Sequence, residues 1–331
     1  MKAARALDSR PVLRSRMGDI RLGNLAAAAA LLAVIALLAA ATLAGADRHA
    51  LVDIRLPRLL LALLAGWSTA MAGAMLQSLA RNPLADPGLL GLSQGALLAL
   101  LILRIALPAL PPGLMPLAAL AGGLGTAAAL AALTRGTSGG LPVLLMGIAL
   151  ETVLSSVTMI LILYTPPELS HGISAWLSGS FALAGWEQLR ALLPWLALSL
   201  PAAWALGPGL RGLELGDDLA RATGIATARL RPAILVTAVL LTAAPVVAVG
   251  PLMFLGVMAP HIAAAISPAT GRARLLLSGL AGAALAAGAD LLTQRSGTAF
   301  ALPAGLALTL TGVPLFVITL RLRALRQGRS A

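Results

Sequence analysis

The sequence predicts an all-α polytopic membrane protein, and three observations carry that prediction. Of its 331 residues, 59% are apolar and only 11% are charged, where an ordinary soluble globule carries about twice that share of charge. The apolar residues gather into ten segments near the length that crosses a bilayer. The arginines between those segments are distributed as one fixed orientation requires. No polar stretch is long enough for a second domain. The chain therefore divides into a basic N-terminal segment (1–24), a membrane domain (25–320) and a basic tail (321–331).

The first span, 25–46, ends in Ala44-Gly45-Ala46, which has the form of a signal-peptidase site, but its apolar length of 22 residues favours a retained helix. The second, 59–80, follows Arg55-Leu56-Pro57-Arg58, where Pro57 suits a first helical turn. Between it and the third span, 89–106, lies RNPLADP, Arg81 to Pro87. Asn82-Pro83 and Asp86-Pro87 each restrict the residue before the proline and stop a helix. Broken backbone at membrane depth needs a polar cavity or a cover of protein. The third span contains Gly91-Leu92-Ser93-Gln94-Gly95, a match to the G-x-S-x-G elbow of serine hydrolases. That motif needs a strand before it and a helix after it. Here it lies in an apolar helix with no base positioned nearby, so its small residues read as close helix packing.

Spans four to six follow at 114–133, 141–164 and 191–207, and the run of 34 residues from 233 to 266 is broken by Gly250-Pro251 into a seventh and an eighth. The ninth and tenth are 275–292 and 302–320. Two carboxylates fall within spans: Glu151 in the fifth and Asp290 near the end of the ninth. A charge in a span is costly and by default functional. A proton-coupled secondary transporter using both is therefore the rival reading of another class.

The formal net charge of +12 comes from 23 arginines and one lysine, Lys2, against twelve acids. In a chain this apolar, the excess speaks of membrane orientation, and no nucleic-acid partner is expected. With both basic termini inside and an even number of spans, eighteen cationic residues fall on the cytoplasmic side. Six fall outside: Arg48, Arg55, Arg58, Arg104, Arg190 and Arg295. The absence of cysteine excludes disulfides, thiolate metal sites and a cysteine nucleophile. The three histidines, His49, His171 and His261, are far apart and suggest no metal cluster. His261 reads as a packed histidine at a helix end. A Walker A loop needs a lysine after glycine, and Lys2 is the sole lysine, so energy must come from another polypeptide or an ion gradient.

The stretches RLPRLLLALLAG, GAMLQSLARNPLADPGLLGLSQGA, WLSGSF, LGDDLARATGI, GPLMFLGVMAPHI, ADLLTQR and LPAGLALTLTGVPLF, in that order, resemble the permease subunit of type II ABC importers. This family carries iron-siderophores, haem and vitamin B12. The likeness runs from Arg55 to Phe316. It implies ten transmembrane helices in two related halves of inverted orientation. Arg55-Leu56-Pro57-Arg58, echoed by Arg229-Leu230-Arg231-Pro232, is a faint trace of those halves. It also implies a multi-pass protein of the bacterial inner membrane with both termini cytoplasmic, acting as a homodimer around a central path. Its further partners would be two ATPase subunits, which hold the ATP and Mg, and a soluble or lipid-anchored substrate-binding protein. The permease itself would hold no cofactor and would be no enzyme. An iron-siderophore is the expected cargo because it is the commonest in the family; haem and vitamin B12 are the alternatives.

The resemblance also assigns site residues. Leu215, Gly216, Asp217, Asp218, Ala220 and Gly224 match the short cytoplasmic helix gripped by the ATPase. The two aspartates near its start and the glycine at its end are what such a helix wants, and Thr223 stands where the family has leucine. Asn82, Pro83 and Leu84 match the cytoplasmic gate, joined by the loop that contains Gly140 and Leu141. Arg55, Arg58 and Arg295 match arginines that receive glutamates of the binding protein, a role suited to bidentate pairing. Asp290 is expected to be structural or to support Arg295. Glu151 has no assigned part: contact with substrate, a place at the dimer seam, and protonated burial all stay open.

Overall fold

The computed structural model describes residues 9–45, 47–107, 114–135, 137, 141–165, 177–295 and 303–327. The long regular elements among the described residues are helices. Helix α1 (Ser9–Leu43) takes in part of the basic N-terminal segment as well as the first apolar span. Ala50–Arg55 is a short π-helical lead-in that runs without a break into α2 (Leu56–Ala80). Next come α3 (Leu92–Ala106), α4 (Met115–Leu133), α5 (Leu141–Leu163), α6 (Trp186–Glu214) and the single-turn α7 (Asp217–Ala222). The chain continues with α8 (Thr227–Val249), α9 (Leu255–Ile266), α10 (Gly271–Arg295) and α11 (Ala304–Gln327).

Seven of these helices are long and apolar enough to cross a membrane: α1, α2 with its lead-in, α4, α5, α6, α8 and α10. Helices α3 and α9 are apolar but shorter, as is the apolar stretch Ala304–Ile318 of α11. The break at Gly250-Pro251 falls where the sequence puts it. Gly250 adopts φ 80°, and the chain turns through Phe254, also left-handed at φ 61°, before α9 begins. The sixth span is longer than the sequence suggests. It was expected over 191–207, yet α6 runs 29 residues through Pro194, Pro201 and Pro208. A proline removes one hydrogen bond, but in an apolar setting the rest of the backbone has no partner except its own helix.

Helix α2 is the hub, packed against α6, α8, α9 and α10. Its approach to α10 is set by glycine. Gly66 and Gly282 each lie against the other's carbonyl, leaving no room for a Cβ. A Cβ at Gly73 would likewise collide with the Gly256 carbonyl between α2 and α9, and Gly95 and Gly122 lie against each other's carbonyls between α3 and α4. This last pair bears out the small residues of the third span as packing residues. Burial is uneven: 78% of the apolar stretch of α2 is covered by the chain itself, but only 11% of that of α5. Val153, Met159 and Ile160 on α5 are exposed. So much apolar surface must meet lipid or another subunit.

Candidate functional site

The loop after α2 is built by its own polar side chains. Arg81 ends α2 in the left-handed region at φ 47°. The Asn82 side-chain oxygen accepts the Leu84 N–H at 2.9 Å, which closes a tight turn and leaves Pro83 and Leu84 exposed. Gly140, the other proposed gate position, lies outside the described residues; Leu141 opens α5 and is exposed.

From Ala85 the chain turns inward, and Ala85, Asp86 and Pro87 are buried. Asp86 Oδ2 accepts the Gly88 N–H at 2.8 Å. Its Oδ1 faces the amides of Gly256 and Val257 in the first turn of α9 without completing a well-aligned hydrogen bond. A helix start favours a negative group, and Gly256 leaves the space for it, since a Cβ there would collide with Oδ1. The prolines that break this segment thus also seat a carboxylate on the start of another helix.

Beside that carboxylate lies a cavity of about 240 Å³. Its polar lining is Asp86, Glu151, Ser93, Gln94, Thr69 and Thr242, and apolar groups including Phe254 close the rest. The sequence singles out Glu151 without a neighbour and treats Asp86 only as a helix breaker; the fold puts both on one cavity. Gly91, left-handed at φ 75°, starts α3 directly against the Glu151 backbone. Turns, not a strand, precede Ser93, so the hydrolase motif has no elbow.

Helix α7 forms where the sequence leads one to expect a short helix. Gly216, at φ 103°, opens it and Gly224, at φ 83°, follows it. Asp218, Leu215 and Leu219 point outward. Ala220 does not: it is fully buried, so it seats the helix and is no part of an outward face. The Thr223 hydroxyl donates to the carbonyls of Leu219 and Ala220 and caps the last turn.

At the opposite end of α2, Arg55 Nη1 donates to the carbonyls of Thr42 and Ala44, at 2.9 and 2.7 Å, and so holds the end of α1. Arg58 grips Asp290 through Nε and Nη2, the shortest contact being 2.7 Å. The carboxylate also accepts from Gln294 at 2.7 Å. Of the two parts expected of Asp290, the structural one holds: it pairs with Arg58 between α2 and α10, and not with Arg295. Arg295 is exposed at the end of α10. His261 is buried as expected, but in the middle of α9 and not at its end; it donates from Nδ1 to the Val257 carbonyl at 2.8 Å and meets Phe316 edge-on.

Comparison with known proteins gives a consistent result. Residues 20–322 match the model of the FecCD transport family. The Fe(3+) dicitrate transport system permease protein FecD of Escherichia coli (strain K12) is 35% identical over 81% of this chain and 84% of its own. The iron(3+)-hydroxamate import system permease protein FhuG of Bacillus subtilis (strain 168) is 32% identical over 83% and 84%. Among solved structures, an inward-facing conformation of a metal-chelate type ABC transporter superposes with a TM-score of 0.81. It covers 90% of this chain and 99% of that one at 24% identity, a likeness of fold.

Proposed function

The chain belongs to the FecCD transport family, and from that premise we propose that it is the permease subunit of an ATP-driven importer of iron(III) chelates of the siderophore type. Two copies enclose the path, each with ten spans in two inverted halves and with both termini in the cytoplasm. Helices α3 and α9 and the apolar stretch Ala304–Ile318 of α11 complete the count as short spans. Two ATPase subunits dock on α7 and hold the nucleotide and Mg. A binding protein docks at the outer mouth on Arg55, Arg58 and Arg295. Asn82, Pro83 and Leu84, with Gly140 and Leu141, form the cytoplasmic gate.

The observation that carries this reading is the juxtaposition of the loop and α7. A Cβ at Gly216 would come within 3.2 Å of the Arg81 guanidinium, so the residue that leads into the gate sits on the residue that opens the coupling helix. A proton-coupled carrier is disfavoured, because Asp290, one of the two carboxylates it would use, is committed to an ion pair with Arg58.

Reconstitution tests the proposal. The permease, its ATPase and its binding protein in liposomes should take up ferric citrate or ferric hydroxamates only with ATP inside. Uptake of haem or cobalamin in preference to both chelates would reassign the cargo. Uptake driven by a pH gradient without ATP would overturn the class.

A further inference from the structure

Behind the gate loop, four helices meet in a half-buried polar cluster. Arg274, in the first turn of α10, donates from Nη1 to Glu214 at 2.6 Å and from Nη2 to the Gln77 side-chain oxygen at 2.9 Å. Ser78 Oγ lies 2.8 Å from the same Glu214 oxygen and 3.3 Å from Arg274 Nη1. Gln77 Nε2 in turn faces the carbonyls of Gly256 and Val257 at 3.3 and 3.4 Å, in the first turn of α9 where Asp86 also sits. Gln77 and Ser78 are buried, and the side chains of Arg274 and Glu214 are 20% and 22% exposed.

The positions of these residues along the chain give the cluster a direction. Glu214 is the last residue of α6, two before Gly216, which opens α7. Gln77 and Ser78 are in the last turn of α2, and the Gln77 carbonyl accepts the Asn82 N–H at 3.2 Å. Between the base of α7 and the base of the gate loop, 136 residues apart in the chain at Ser78 and Glu214, a direct Ser78–Glu214 hydrogen bond is reinforced by Arg274, which reaches Glu214 with one nitrogen and Gln77 with the other. Apolar helix faces can slide past one another at little cost. A guanidinium that holds a carboxylate on one side and an amide on the other fixes both distance and orientation.

We propose that Glu214, Arg274 and Gln77 are positioning residues that link the coupling helix to the gate, so that displacement of α7 by the ATPase is passed through Arg274 to the α2 turn carrying Asn82 and Leu84. The inference rests on the reading of α7 as the ATPase dock and of residues 82–84 as the gate. A load applied at α7 moves Glu214 with it, and Arg274 follows its carboxylate. Gln77 and the start of α9 then shift together, which moves both walls of the cavity that holds Asp86. The Arg81 guanidinium beside Gly216 is a second contact between the same two segments.

The experiment uses the complete transporter in liposomes and reads three quantities: ATPase affinity for the permease, ATP hydrolysis, and chelate imported per ATP. For Arg274→Gln, the ATPase should still bind, and chelate imported per ATP should fall about tenfold, the scale of one lost charged hydrogen bond. Arg274→Lys keeps the charge but loses the fork, and should give an intermediate ratio. Glu214→Arg combined with Arg274→Glu should recover part of the ratio lost in either single variant. An unchanged ratio in a folded Arg274→Gln or Arg274→Lys transporter overturns the link, whether both rates persist or both fall together. The α7 reading has its own control in Leu219→Asp. If that variant still binds the ATPase with parental affinity, the dock is elsewhere; if it loses binding while Arg274→Gln keeps its ratio, only the link fails.

Discussion

Replacing Arg58 with methionine removes the fork that neutralises Asp290, and the cost can be worked from what remains. The Asp290 side chain is 3% exposed and that of Arg58 is 19% exposed. Without Arg58, Asp290 keeps the Gln294 amide at 2.7 Å but loses the cation that pairs with it. Breaking a buried pair from one side costs about 3–5 kcal/mol. The partial exposure of Arg58 and the surviving amide bring the expectation to about 2–3 kcal/mol. In detergent this should lower the apparent midpoint of thermal unfolding by about 5 °C. Arg58→Met combined with Asp290→Leu removes both charges and should recover more than half of that loss, because no carboxylate is left buried alone. A midpoint equal to the parent's in Arg58→Met, or a double variant less stable than both single ones, would refute the reasoning. The result also governs any docking experiment: Arg58→Glu would set two carboxylates against each other, so weaker docking by that variant is informative only if its stability is measured beside it.

Arg295 is the cleaner probe of the outer mouth. Arg295→Glu should weaken binding-protein docking more at low salt than at high salt, since exposed charges are screened, and titration at two ionic strengths checks this. On α7, Leu219→Asp should abolish co-purification of the ATPase while the permease stays folded. Ala220→Leu should instead lower thermal stability, because Ala220 is buried. Cysteines introduced at Asn82 or Leu84, in a chain that has none, should crosslink across the two copies in at least one nucleotide state; their failure to do so in every state would move the gate elsewhere.

The sequence alone determined what depends on local chemistry. Composition set the class, and apolar length located the long helices, though not the full extent of α6. Proline and glycine set the breaks at Asn82-Pro83, Asp86-Pro87 and Gly250-Pro251, and the paired aspartates with Gly224 marked the short helix α7. Each of these follows from residues within a few positions of one another. Only the tertiary structure decided who meets whom. Arg58 takes Asp290 from 232 residues away, Asp86 and Glu151 share one cavity, Arg274 bridges α6 and α2, and Ala220 turns inward. In a soluble helix the polar face would have announced the orientation. Here the spans are apolar nearly all round, so periodicity says little about which side faces a neighbour. The same shortage of polar groups is why the few that exist seek one another across the fold, at positions only the packing of the helices can fix.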